Sequence, residues 1–482
     1  MHNKLQFKGD ANILFPPKVL SSRPVTGILL ICLSLLTACA SLPDTNDFLD
    51  TSVRKHSAPR LENARGPLSA QQSKAILDKL SAQAGNPDIM QRHLAFTEAI
   101  VESPLVIGNQ VRLLQDGPST YSAMFSAIQS AKNHINMETF TIEDDEVGQR
   151  FADALIEKQQ QGVQVSLIYD SVGSLGTPAA FFERLKEHGI GVLEFNPISP
   201  LQAKKAWSLT HRDHRKLLII DGTTLFTGGV NISKVYSSAP FKRRGADDAE
   251  KTSTGWRDTH TRIEGPVVAE FQKEFLKTWE KQKGQLLAAS NYFPALTKKG
   301  NDVVQAVATS PDDPLSLIYL TLVSAITHAE SSINLTNAYF VPDQQLLDAL
   351  KDAAKRGVNV KMVLPSYSDF WPVFHAGRSH YSELLEAGVK IYERRDALLH
   401  AKTASIDGVW STIGSTNLDW RSFLNNDEIN AVVLGRDFAD EMESAFEKDI
   451  AQSNPIILEE WQKRPLSVRM KEAAALLWQR LL

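Results

Sequence analysis

His214-Arg215-Lys216-Leu217-Leu218-Ile219-Ile220-Asp221 leads into Gly228-Gly229-Val230-Asn231, and the pattern returns as His400-Ala401-Lys402-Thr403-Ala404-Ser405-Ile406-Asp407 followed by Gly414-Ser415-Thr416-Asn417. Both copies read H-x-K, four residues, D, six residues, G-[G/S]-x-N. At ordinary residue usage, accidental recurrence of five identical positions at identical spacing is far rarer than about 1 in 10⁶. Either copy alone is a short apolar strand with polar ends. Together they are an internal repeat, and the repeat decides how the chain is divided.

Working outward from the first copy, the pattern predicts a helix over 123–131, a strand over 134–142, a helix over 147–161, a strand over 163–170, a helix over 181–188 and a strand over 191–195. Around the second copy it predicts a helix over 317–329, a strand over 333–341, a helix over 343–355, a strand over 358–365, a helix over 380–386 and a strand over 388–392. Ile135-Asn136-Met137 answers to Ile333-Asn334-Leu335, and Gly162-Val163-Gln164-Val165 to Gly357-Val358-Asn359-Val360. The limits that follow are 110–290 for the first half, 291–305 for a linker and 306–482 for the second half. The fold class is α/β, each half a mixed, mostly parallel sheet flanked by helices. One motif per half predicts pseudo-twofold packing around one shared active site.

The chain has 482 residues, 43% hydrophobic and 22% charged, enough for two halves with sizeable cores. A net charge of −4 supplies no overall basic field toward nucleic acid or anionic lipid. The small basic cluster Lys242, Arg243 and Arg244 reads as a solvated loop. The two cysteines, Cys32 and Cys39, both lie near the N-terminus, so the body has no disulfide and no cysteine metal site. Arg23 precedes an apolar run over 25–36, shorter than the ~20 residues a spanning helix needs. This reads as a signal peptide over 1–38. The stretch 39–68, with Pro43, Pro59 and Pro67, reads as a tether. An N-terminal helical extension follows over 69–109, with helices near 70–82 and 89–101 expected to cap the first half.

The paired motifs resemble those of the phospholipase D superfamily. Glu138-Thr139-Phe140, Trp256-Arg257-Asp258-Thr259-His260 with Glu264-Gly265-Pro266, Tyr339-Phe340-Val341-Pro342, Ser368-Asp369 and Asn417-Leu418-Asp419-Trp420-Arg421-Ser422 resemble its cardiolipin synthase group. The resemblance implies two phospholipase D-like halves, no cofactor and no metal. It also implies that one histidine attacks phosphorus while the other protonates the leaving oxygen, with His214 as nucleophile and His400 as general acid. Such a site needs fixed cations and donors for the phosphoryl oxygens, which Lys216, Lys402, Asn231 and Asn417 would supply. A carboxylate behind each ring would fix its tautomer. Glu428 matches the supporting glutamate of the second half, and Asp258 is assigned to the first. Ser415 preserves a family hydroxyl that Gly229 lacks. Asp221 and Asp407, past the strand ends, read as structural ion-pair formers. His211 and His260 lack the carboxylate cluster of a metal site, and His375 and His380, flanking Arg378, read as solvated loop residues.

Three substrates fit the chemistry. A phosphatidyl group could pass from phosphatidylglycerol to an alcohol, phospholipids could be hydrolysed to phosphatidic acid, or a nuclease could cut nucleic acid. Net acidity argues against nucleic acid as partner. The expected partners are a phospholipid, an alcohol or water acceptor, and the membrane surface; no oligomeric state follows from the sequence. Leu36-Thr37-Ala38-Cys39 looks like a bacterial lipoprotein cleavage site, which implies lipidation at Cys39 and a membrane-anchored lipoprotein of the cell envelope, facing the periplasm, with the outer membrane favoured. The end of the chain, 473–482 with Trp478, reads as a core-packing helix, with an interfacial helix as the second reading.

Overall fold

The computed structural model describes residues 42–45, 48, 59–83, 85, 88–198, 210–238, 255–287 and 290–479, within a unit that starts at Leu42. The signal segment 1–38, Cys39 and the basic cluster at 242–244 lie outside the described residues.

Seven strands build the first half: β1 (Leu105–Leu114), β2 (His134–Thr139), β3 (Gln164–Asp170), β4 (Gly191–Phe195), β5 (Leu217–Ile220), β6 (Thr224–Gly228) and β7 (His260–Glu264). They pair in the order β4-β3-β2-β5-β6-β7-β1. The second half repeats the plan with β8 (Asp302–Thr309), β9 (Ser332–Asn337), β10 (Asn359–Pro365), β11 (Lys390–Arg394), β12 (Lys402–Ile406), β13 (Trp410–Gly414) and β14 (Asn426–Leu434). Their order is β11-β10-β9-β12-β13-β14-β8. β1 and β8 pair antiparallel, Val303 opposite Ile107, and make one sheet of the two halves.

Within the two seven-strand orders, only β2-β3-β4 and β9-β10-β11 are parallel. The expectation of mostly parallel sheets is corrected here. Parallel neighbours need a helical crossover, whereas β5–β6 and β12–β13 are joined by tight turns, which force antiparallel pairing. The turns hold Asp221 and Asp407 at positive φ, +52° and +53°.

The N-terminal extension carries α1 (Ala70–Gln83) and α2 (Arg92–Ile100). In the first half follow α3 (Gly117–Ser130), α4 (Glu146–Gln160), α5 (Ala179–Glu187) and α6 (Val268–Lys281). In the second come α7 (Leu317–Thr327), α8 (Gln344–Lys355), α9 (Trp371–Ser379), α10 (Tyr381–Glu386), α11 (Arg436–Ala451) and α12 (Leu466–Leu476). The repeat reaches the caps. Asp145 accepts from the amides of Val147 and Gly148 at the start of α4, and Asp343 from those of Gln345 and Leu346 at the start of α8. One apolar cluster belongs to each half. A third, with Phe195, Leu217 and Phe271 against Ile413, Ile429 and Phe438, is shared between them.

The extension caps the second half, not the first. Leu77, Leu94 and Phe96 pack into the core of Ile318, Leu322 and Trp410, and His93 Nδ1 lies 3.1 Å from Ser324 Oγ. The described parts of the stretch read as a tether are docked too. Leu42 is buried, the Thr45 amide donates to Gln345 Oε1 at 2.8 Å, and Leu61 pairs with Leu105 of β1. Scattered apolar residues in a proline-bearing stretch suffice to hold it down. The linker expected to 305 ends earlier, since β8 begins at Asp302. α9 was not foreseen; Pro372 in its first turn marks a helix start rather than a loop.

Candidate active site

Two short parallel ladders cross between the halves. Arg212–Asp213 pairs with Asn426–Asp427, and Trp256–Arg257 pairs with Leu398–Leu399. The ladders continue as the His214 amide donates to the Asp427 carbonyl at 2.9 Å and the His400 amide to the Arg257 carbonyl at 2.8 Å. Each ladder therefore delivers a histidine and a carboxylate side by side. His214 Nδ1 lies 3.0 and 3.1 Å from the two oxygens of Glu428, and His400 Nδ1 lies 2.7 Å from Asp258 Oδ2. Each acid serves the histidine of the opposite half. The sequence had attached Glu428 to the second half and Asp258 to the first, and the pairing is corrected to a crossed one. Offsets within one half cannot reveal it, because the ladders join residues about 140–215 positions apart.

Both rings spend Nδ1 on their carboxylates, which leaves Nε2 as the reacting nitrogen. Lys216 Nζ donates to the carbonyl of His214, and Lys402 Nζ to that of His400. Each ammonium is thus folded back over its own histidine. All four side chains are buried.

The two carboxylates are housed differently. Glu428 accepts from Ser415 Oγ and, at 3.1 Å, from Asn426 Nδ2. Asp258 accepts the Thr259 amide at 2.7 Å. At the position answering to Ser415, a Cβ on Gly229 would stand 2.1 Å from Asp258 Oδ1. The shorter acid is brought against the backbone, and only glycine leaves room for it.

Burial governs the charges. It lowers the His214 imidazole to about 4, Glu428 working against it and Lys216 with it. It also lowers His400, Lys402 adding to the effect and Asp258 opposing it. Lys216 falls to about 7 and Lys402 to about 8, again through burial first. Glu428 is held below its ordinary range by His214 and Lys216, against its burial. Each group feels charges from both halves, so the site is one electrostatic unit. Burial thus favours the neutral form of both imidazoles. A phosphodiester would raise the cations again.

Asn231 and Asn417 are buried near the motifs. Asn231 Nδ2 donates to Tyr236 Oη at 3.2 Å and its Oδ1 accepts the Thr141 amide. The Asn417 backbone N–H donates to Ser422 Oγ at 3.3 Å. Among the described residues Asp221 and Asp407 find amides rather than cations; each carboxylate gathers three backbone amides, those of 132–134 and 330–332. Their left-handed turns point them at exposed strand starts, where amides rather than cations wait. His211 Nε2 lies 3.0 Å from Asp427, across the halves. His260 is buried and lowered to about 3 by desolvation. His375 and Arg378 lie on α9 rather than in a loop, with Arg378 paired to Glu393 and His380 to Glu383. Among the described residues no group of three His, Cys, Asp or Glu side chains is arranged to hold a metal ion.

Tyr236 was missed. Its hydroxyl is 3.2 Å from His400 Nδ1, and burial pushes it well above its ordinary range, so it stays a neutral hydrogen-bonding group. Phe140 and Trp256 wall the rings of His214 and His400, both centroid pairs 5.0 Å apart. The repeat held a signal for Tyr236: it follows Asn231 at the distance at which Ser422, also bonded in the site, follows Asn417.

The sequence matches the family model described as "Cardiolipin synthase, PLD-like domain" over residues 124–240 and 322–450, together about half of the chain. A cardiolipin synthase of Geobacillus sp. (strain WCH70) is 36% identical over 392 residues, 81% of this chain and 76% of that protein. The major cardiolipin synthase ClsA of Bacillus subtilis (strain 168) is 34% identical over 391 residues, 80% of this chain and 76% of that one. Among solved structures, the phosphatidylserine synthase of Haemophilus influenzae Rd KW20 superposes with a TM-score of 0.58 at 13% identity, covering 77% of this chain and 95% of that chain, a likeness of fold.

Proposed function

The chain belongs to the cardiolipin synthase family of phospholipase D-like phosphatidyltransferases, and from that premise we propose that it transfers a phosphatidyl group from phosphatidylglycerol to an alcohol, a second phosphatidylglycerol giving cardiolipin. His214 Nε2 attacks phosphorus, and the bond from phosphorus to the headgroup glycerol breaks. His400 gives its Nε2 proton to the departing glycerol oxygen. The phosphatidyl group is then held on His214. His400, now neutral, takes the proton of the incoming hydroxyl as that oxygen attacks phosphorus and the P–N bond breaks. Lys216 and Lys402 neutralise the phosphoryl oxygens, and amide donors of Asn231 and Asn417 turn to them once substrate is present. Water in place of the alcohol would give phosphatidic acid.

The observation that carries this reading is the crossed pair of histidine–carboxylate contacts, each histidine also feeling the lysine of the other motif. Purified protein is incubated with phosphatidylglycerol, and lipids are read by mass spectrometry. Cardiolipin with release of glycerol is expected. Substituting His214→Ala or His400→Ala is expected to abolish it. Phosphatidic acid as sole product would replace transfer by hydrolysis, and wild-type turnover in either variant would end the shared-site mechanism.

Anchoring belongs to the same reading. Cys39 carries the lipid, placing the enzyme on the cell envelope with its body in the periplasm, outer membrane favoured; the support is Leu36-Thr37-Ala38-Cys39 itself. No helix among the described residues is long and apolar enough to cross a membrane.

A further inference from the structure

α12 has two apolar faces, and one of them is packed. Ala475 joins Val341, Val373 and Ala376 in a small core against α9, and beside it Glu472 is buried and paired with Arg464 at 2.8 Å. The opposite face is open. Leu466, Met470 and Leu477 are 70%, 65% and 85% exposed, and their spacing of four and seven residues puts them in one stripe. Exposed Arg469 and Lys471 flank the stripe on its two sides. The single carboxylate of the helix is the buried, neutralised Glu472. The outward surface is therefore apolar along its crest and cationic along its flanks, the pattern of a helix lying in the headgroup layer of anionic lipid.

Its position is the second observation. α9, on which α12 rests, begins beside Phe370 and Trp371, 47% and 61% exposed. The same turn carries Asp369, which accepts the Tyr339 hydroxyl at 2.6 Å and acts electrostatically on Lys402. The exposed aromatic pair thus stands next to a residue that the active-site lysine feels.

We propose that the outer face of α12, together with Phe370 and Trp371, seats on an anionic phospholipid surface and holds the mouth of the site against it. The proposal rests on the phospholipid reading and adds the surface by which substrate is taken from packed lipid. A second copy of the chain fits less well, since a twofold pairing of this face would set Arg469 and Lys471 against their own likenesses.

The full chain is given phosphatidylglycerol in two forms: phosphatidylglycerol–phosphatidylethanolamine vesicles, and a short-chain phosphatidylglycerol below its micelle concentration. Amide exchange over 466–478 is expected to slow on vesicles and not with monomeric lipid. The triple variant Leu466→Glu/Met470→Glu/Leu477→Glu, which keeps good helix formers at exposed sites, is expected to lose roughly tenfold or more in vesicle turnover while monomer turnover stays within about twofold. Wild-type vesicle turnover by this variant would overturn the proposal. So would unchanged exchange on vesicles, or protection that follows protein concentration without lipid, which is self-association. Failure of the wild type on both lipid forms would instead sink the phospholipid reading, and the exchange measurement would still judge the surface.

Discussion

Glu428 meets the His214 ring with both oxygens and also takes the Ser415 hydroxyl, whereas Asp258 reaches His400 through space that Gly229 leaves open. These unlike settings support unlike roles for two identical side chains. Each carboxylate raises the proton affinity of its histidine, so neutralising it lowers that affinity. The variants Glu428→Gln and Asp258→Asn are each expected to cost about 10²–10⁴ in turnover with the fold retained. The pH profile of kcat/KM separates them. With His214 as base-form nucleophile, Glu428→Gln moves the acidic limb to lower pH. With His400 as acid, Asp258→Asn moves the alkaline limb to lower pH. Exchange of the two responses would exchange the roles.

The crossing ladders are held by buried ion pairs as well as backbone. Arg257, beside Asp258, binds Asp449 of α11 at 2.7 and 2.9 Å, and Arg394 approaches the same carboxylate. Losing Arg257 leaves the buried Asp449 with the longer Arg394 contact, so Arg257→Met is expected to cost up to about 3 kcal/mol, read as a lower urea midpoint at unchanged slope. The strands of each half were legible in the sequence because their apolar runs recur twice: 191–195 coincides with β4, and 164–170 falls within the predicted strand. The motif residues were legible for the same reason. The crossed carboxylates were not, since pairing across halves is set by three-dimensional register and leaves no local period. Nor was α9, whose mixed composition carries no strong helical stripe, nor the seat of the N-terminal helices, which depends on which half offers the matching apolar groove.

Taken whole, the molecule holds two lysines and two histidines in a buried place where, with no anion bound, desolvation has lowered them all. An oxyanion supplies the missing negative charge, so the cations regain protons as it binds. Tungstate binding near pH 7–8, where Lys216 and Lys402 titrate at about 7 and about 8, is expected to take up on the order of one proton. Calorimetry in buffers of different ionisation enthalpy reads this directly. Zero uptake would mean that the resting site is already fully charged.

The carboxylate that His214 pairs with is carried on β14, in the second half of the repeat. A growing polypeptide whose first half has already folded holds His214 without its orienting partner. Under the proposed mechanism, reactivity is therefore withheld until β14 has been made and has crossed to the first half.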